Sequence, residues 1–346
     1  MPTTLVTGAN GFVGAAVVNE LITQHHKVIL AVRTPSSAEG LVSKHPEWPA
    51  QDISVARVAD FTVPGVFDEV FHQHPDIEYI VHVAAPLLDD PHNTDFVEHF
   101  EKPSVLGNTG LLTSALRYGN KVKAISVTGS INAITLGDQD DVKKRAFDNK
   151  DWLPLGREDA INAQDPYISY CVGKKLAEQA IWKFIDEQKP PFSVTNFMPP
   201  LIFGPMFQKV PSVAKINFSN RQFHSILNSA KAEGRKVPST MFPGYIDVRD
   251  LAKIQVSALT TPGAANKRFV VGHPMLFNSF ADALRDDPEL HLASRIGENN
   301  DEESTLTLPR FETKEAEGVF RFKWTSLEKT ARDTAIALLE VEALDA

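Results

Sequence analysis

The sequence predicts an α/β fold, a doubly wound parallel sheet with a smaller C-terminal lobe, and three observations predict it. A strand, a glycine-rich turn and an amphipathic segment follow one another directly at the N-terminus. Short β-branched apolar runs then alternate with helical patterns as far as Phe197. Beyond Pro199-Pro200 the alternation loosens into irregular chain with scattered Pro and Gly. Continuous apolar runs suit strands buried on both faces, and their alternation with helices implies a parallel sheet covered on both sides.

The first strand contains Leu5 and Val6, and glycines at 8, 11 and 14 form the turn after it. Phe12, Val13, Val17, Val18, Leu21 and Ile22 then recur at helical spacing. Each glycine has its own task. Gly8 lets the strand turn sharply, Gly11 removes the Cβ that would block backbone approach to a phosphate, and Gly14 lets the helix pack closely on the sheet. With Asn10, Phe12 and Val13 they form a cradle that sets a pyrophosphate on a helix N-terminus.

Lys27 to Val32 reads as the second strand, Ile53 to Val58 as the third, Tyr79 to Val83 as the fourth and Ala124 to Val127 as the fifth. A long helix is expected around Val105 to Tyr118. Asp165-Pro166 supplies an N-cap and first-turn proline for another, which carries Leu176, Ala180, Ile181, Phe184 and Ile185 and stops before Pro190. Ser193 to Phe197 is the sixth strand. Residues 1–198 plus about 244–265 are expected to form the nucleotide domain, and about 199–243 plus 266–346 the substrate lobe.

A chain of 346 residues buries roughly three-quarters of its unfolded surface and needs no metal or disulfide to hold a core. The net charge of −9, with no basic block, argues against nucleic acid or an anionic membrane as partner. Cys171 is the single cysteine, so no internal disulfide can form and a reducing, cytoplasmic setting is expected. No charged leader precedes the first strand, and no apolar run approaches the roughly 18 residues of a membrane span.

The second strand ends in Ala31-Val32-Arg33-Thr34. NAD-binding units usually place a carboxylate there for the ribose 2′-hydroxyl. Arg33 instead suits a 2′-phosphate through a charge-assisted, bidentate bond, which points to NADP. Asp60 and Phe61 are expected near the adenine, while Val83 and Ala84 are small enough to let the cofactor lie close.

Tyr170 and Lys174 stand four residues apart on one helix face, and Ser130 follows the fifth strand at the same sheet end as the glycine turn. Hydride transfer to a carbonyl develops negative charge on oxygen, which needs a proton and a fixed donor. Ser130 would hold the oxygen and Tyr170 would deliver the proton. Lys174 would bond the nicotinamide ribose and lower the phenol's pKa from about 10.

Together, Thr7 to Gly14, the Ser130/Tyr170/Lys174 set, Pro199 to Pro205 and Gly244 to Asp250 resemble the extended short-chain dehydrogenase/reductases, which carry a Rossmann fold. The likeness is strongest to the dihydroflavonol-reductase-like branch, in particular the fungal methylglyoxal/isovaleraldehyde reductase type, and it runs along nearly the whole chain. It implies an NADPH-dependent carbonyl reductase with Ser130, Tyr170 and Lys174 as catalytic residues, and Pro199 and Ile202 beside the nicotinamide. It also implies that Tyr245 to Asp250 stabilises the lobe junction. Positions often aromatic in relatives' substrate pockets are Leu87, Ile131 and Leu201 here, so an aliphatic pocket for a small or medium carbonyl is expected. The family's helical Asn is Leu106, with Asn108 two residues on, and the serine often found before the lysine is Gly173.

Two rival readings stay open. One is a nucleotide-sugar epimerase or dehydratase that retains NAD, against which Arg33 counts. The other is a non-catalytic NADP-sensing regulator, against which the intact triad counts. No metal site is expected, because His72 and His74 precede Pro75 without an accompanying acid or cysteine cluster. His82 and Cys171 read as packed core groups, and the assembly is expected to be a monomer or homodimer.

Overall fold

Seven parallel strands form the main sheet of the computed structural model, which describes residues 1–86 and 93–345. They are β1 (Thr3–Thr7), β2 (Lys27–Val32), β3 (Ile53–Arg57), β4 (Ile77–His82), β5 (Ala124–Thr128), β6 (Ser193–Met198) and β7 (Lys267–Val270). Their spatial order is β7-β6-β5-β4-β1-β2-β3. Because the order reverses between β1 and β4, connections leave these neighbours in opposite directions. A crevice opens beyond their carboxyl ends, where such sheets bind ligands.

The flanking helices are α1 (Phe12–Thr23), α2 (Pro35–Lys44), α3 (Asp68–Gln73), α4 (Lys102–Tyr118), α5 (Pro166–Gln188) and α6 (Val248–Ala258). Alternate residues of β1 face opposite layers. Val6 joins Leu30 and Val81 against α1 and α6, while Leu5 joins Ile29, Ile80 and Val127 against α3, α4 and α5. Both faces are buried, which accounts for the unbroken apolar runs. The edge strand β3 departs from this, since Ser54, Val55 and Arg57 are exposed. Asp165 caps α5 by accepting from the Ile168 amide at 2.8 Å, and Pro166 occupies the first turn. The helix ends where Lys189 adopts left-handed backbone, one residue before Pro190.

The lobe is built on a small sheet of Leu201–Phe203, Gly244–Asp247 and His273–Pro274. Phe203, Phe223, Tyr245 and Phe280 pack behind it with ring centroids 5.1 to 5.7 Å apart. Asp247 caps α6 through the Arg249 amide and accepts from Thr330 Oγ1, while Asp250 accepts from Thr325 at its amide and its hydroxyl. These bonds tie α6 to the C-terminal helix Leu327–Asp345.

The lobe boundary expected at 266 needs correction. Lys267–Val270 pairs with Ser193–Met198 and completes the main sheet. The stretches expected to be irregular also contain helices Phe218–Leu227 and Phe277–Arg285. Among the described residues, no helix is long and apolar enough to cross a membrane, and no three His, Cys, Asp or Glu side chains gather to hold a metal ion.

Candidate active site

A cavity of about 750 Å³ opens at the crevice and is continuous from the glycine turn to α5. Gly8 ends β1 with φ of 65°, a left-handed conformation that glycine adopts without strain. A Cβ there would also crowd Ala84 N at 3.0 Å. Thr7 Oγ1 accepts from the amides of Val83 and Ala84 at 3.1 Å each, which locks the ends of β1 and β4 together. Gly14 lies against the turn, where a Cβ would stand 2.0 Å from Gly8 O, so α1 packs as closely as its backbone permits. Gly11 caps α1 with no side-chain bond, and Phe12 and Val13 line the cavity. A helix N-terminus with uncapped amides is an anion site.

Arg33, at the carboxyl end of β2, lines the same cavity, is exposed, and forms no ion pair among the described residues. Glycine cradle, helix N-terminus and guanidinium make a donor set that fits a dinucleotide bearing an extra phosphate. Gly8, Asn10, Gly11, Val83, Ala84, Pro199, Ile202 and Phe61 also line the cavity. Asp60 does not reach it. Its carboxylate closes a local turn instead, accepting from the Thr62 amide at 2.8 Å and the Thr62 hydroxyl at 2.7 Å.

Ser130, Tyr170 and Lys174 come from the end of β5 and the first turns of α5, and all three line the cavity. Ser130 hydrogen-bonds Tyr170, and Lys174 Nζ lies 5.5 Å from the centre of the Tyr170 ring. Lys174 is buried and forms no hydrogen bond or ion pair among the described residues. Burial holds its pKa down to about 8. On balance the phenol's pKa is raised, not lowered as expected. Burial pushes Tyr170 up to about 12, against the opposing pull of the Ser130 hydrogen bond. Desolvation dominates because the phenolate would be a charge in an apolar wall. The phenol therefore stays protonated at neutral pH, as a proton donor must.

The substrate-side expectations divide. Leu201 lines the cavity. Ile131 turns into the core against Ile134, Phe147, Met198 and Phe242, because it lies inside the short 3₁₀ turn Ile131–Ala133. Leu87 lies outside the described residues. Met241 and Phe242 join the wall from the lobe, and Asn132 and Tyr167 stand beside the triad. None of these four was legible in the sequence as a site residue. Tyr167 alone carried a signal, since it precedes Tyr170 by one helical turn.

His82 is buried, with Nδ1 2.7 Å from Thr7 Oγ1, and burial together with the Lys174 charge holds its pKa down to about 4. Cys171 packs against Phe96 and Phe100, and its thiol pKa is pushed up by burial. Asn108 donates to Ser104 O within its own helix, and Leu106 is 40% exposed.

A model of the NAD dependent epimerase/dehydratase family matches residues 4–272. The chain is 31% identical over 346 residues to the NADPH-dependent methylglyoxal reductase GRE2 of Saccharomyces cerevisiae, covering 97% of this chain and 98% of the relative. It is 29% identical over 292 residues to the ketoreductase azaE of Aspergillus niger, covering 83% and 82%. The crystal structure of yeast methylglyoxal/isovaleraldehyde reductase Gre2 complexed with NADPH superposes with a TM-score of 0.85 at 29% identity, over 99% of each chain.

Proposed function

We infer that this chain, which belongs to the NAD dependent epimerase/dehydratase family, is an NADPH-dependent reductase that turns an aldehyde or ketone into an alcohol. The observation that carries the reading is the convergence of Ser130, Tyr170 and Lys174 on one cavity with the glycine turn and Arg33. The names of the relatives, NADPH-dependent methylglyoxal reductase and ketoreductase, support it. Arg33 at the end of β2 disfavours an epimerase that retains NAD.

Each residue has a task the reaction requires. The amides at the start of α1 hold the pyrophosphate, and Arg33 pairs with the 2′-phosphate. Bound NADPH supplies the hydride. Ser130 donates to the carbonyl oxygen and fixes its position as charge builds there. Tyr170, protonated at neutral pH, passes its proton to the same oxygen. The Lys174 ammonium then stabilises the phenolate left behind and holds the nicotinamide ribose. Leu201, Met241 and Phe242 exclude water and accept the apolar flank of the substrate. A single buried cysteine that needs no partner fits a cytoplasmic home.

Purified chain should consume NADPH, read as loss of reduced-nicotinamide absorbance, when given methylglyoxal, isovaleraldehyde or a panel of ketones. Tyr170→Phe should lower turnover by about 10² to 10⁴ while NADPH still binds. No absorbance loss with any carbonyl, or co-purification with stoichiometric NAD, overturns the reading.

A further inference from the structure

We propose that Asn132 and Tyr167 form a brace that aims the Ser130 hydroxyl, which makes Asn132 a positioning residue for carbonyl reduction. The proposal rests on the reductase reading above and adds two residues to it. Ser130 opens the Ile131–Ala133 turn, and its Oγ accepts from the Asn132 amide at 3.2 Å. Asn132 Oδ1 lies 3.4 Å from the same Oγ. A carboxamide oxygen carries no hydrogen, so the proton between the two oxygens is the serine's.

The orientation of the Asn132 carboxamide is set by the acceptors around it. Asn132 Nδ2 donates one hydrogen to Thr135 O at 3.1 Å and the other to the Tyr167 hydroxyl at 2.9 Å. Turned over, the carboxamide would press its oxygen against the Thr135 carbonyl, so the network holds one orientation. Tyr167 in turn donates to Leu136 O at 2.6 Å, and so its oxygen faces Asn132 as an acceptor. Tyr167 and Tyr170 lie one turn apart at the start of α5, and both line the cavity with Ser130 and Asn132.

The consequence concerns where the serine proton points. Two acceptors lie within its reach, Asn132 Oδ1 and the phenol oxygen of Tyr170. A serine donating to Tyr170 leaves the carbonyl with one donor instead of two. Asn132 supplies a competing acceptor, at a distance too long for a strong bond. An arriving carbonyl oxygen at ordinary hydrogen-bond length takes the proton's bond from Asn132 readily. Both the serine and the tyrosine hydrogens then meet the substrate oxygen, where donors contribute most.

The test uses the whole chain with NADPH and isovaleraldehyde, comparing wild type, Asn132→Ala, Tyr167→Phe and the double variant. Asn132→Ala should lower kcat by about tenfold and Tyr167→Phe by about threefold, with NADPH affinity by fluorescence titration held within about twofold. Because Tyr167 acts through Asn132, adding Tyr167→Phe to Asn132→Ala should change nothing further. A merely structural role predicts instead two additive losses that extend to NADPH affinity. Unchanged kcat in Asn132→Ala, or an undiminished Tyr167→Phe effect in its background, overturns the brace while leaving the reductase reading intact. Should Asn132→Ala not fold, Tyr167→Phe alone decides, and unchanged kcat overturns the brace. Wild type that consumes no NADPH overturns both.

Discussion

Replacing Lys174 by methionine should make the protein more stable while abolishing its turnover. The ammonium is buried against α5's own first turns and lacks any hydrogen bond or ion pair among the described residues. Its pKa falls from 10.5 to about 8. At 1.36 kcal/mol per decade that difference means roughly 3 kcal/mol of instability wherever both states are protonated. Methionine fills a similar length of cavity without a charge to desolvate. Unfolding entropy of about 2.1 cal/mol/K per residue then converts the gain to a Tm rise of about 4 °C at pH 7. Between pH 8 and 10.5 the unfolded chain still binds a proton that the folded wild type has released, so wild-type stability climbs with pH over that window. The gap should therefore narrow above pH 8 and nearly vanish by about pH 10.5. Tyr170 titrates later and is common to both proteins, so it cancels in the difference. Thermal melts of both proteins without nucleotide, from pH 7 to 10.5, check this. A variant that melts at or below wild type at pH 7, or a gap indifferent to pH, refutes the reasoning.

Arg33→Asp should weaken NADPH binding by about two orders of magnitude, the worth of a charge-assisted pair replaced by repulsion, and leave NADH binding nearly unchanged. Fluorescence titration with both nucleotides checks it, and equal losses would sink the assignment of the 2′-phosphate. Gly14→Ala puts a methyl 2.0 Å from Gly8 O, so α1 must move off the turn at a cost of about 1 to 3 kcal/mol. Its Tm and its NADPH affinity should fall together. Reduction needs Lys174 charged and Tyr170 protonated, so kcat/KM should decline on the alkaline side with an apparent pKa near the Lys174 value of about 8. A profile flat to pH 9.5 contradicts that role.

Local chemistry carried far along this chain. The Gly8, Gly11 and Gly14 turn was readable because its constraints lie within one short segment, and the structure gives each glycine a steric reason. β1, β2, β4 and β5 were readable because both their faces are buried, which leaves an unbroken apolar signal. β7 escaped notice because Lys267 and Arg268 break that signal at the sheet edge, where Arg268 pairs with the buried Glu178 instead. Ile131 misled for a related reason. Its position beside Ser130 in the chain says nothing about which way a 3₁₀ turn points its side chain.

The sequence by itself determined which chemical groups exist: a phosphate cradle, a guanidinium at a strand end, and a phenol, an amine and a hydroxyl suited to carbonyl chemistry. Their residue types and short spacings express local rules of backbone and charge. Only the tertiary structure decided which groups share a cavity, that burial outweighs the expected lowering and raises the Tyr170 pKa, and that Asn132 and Tyr167 stand behind Ser130. Desolvation and hydrogen-bond direction depend on neighbours brought together from distant parts of the chain, and no local spacing encodes them.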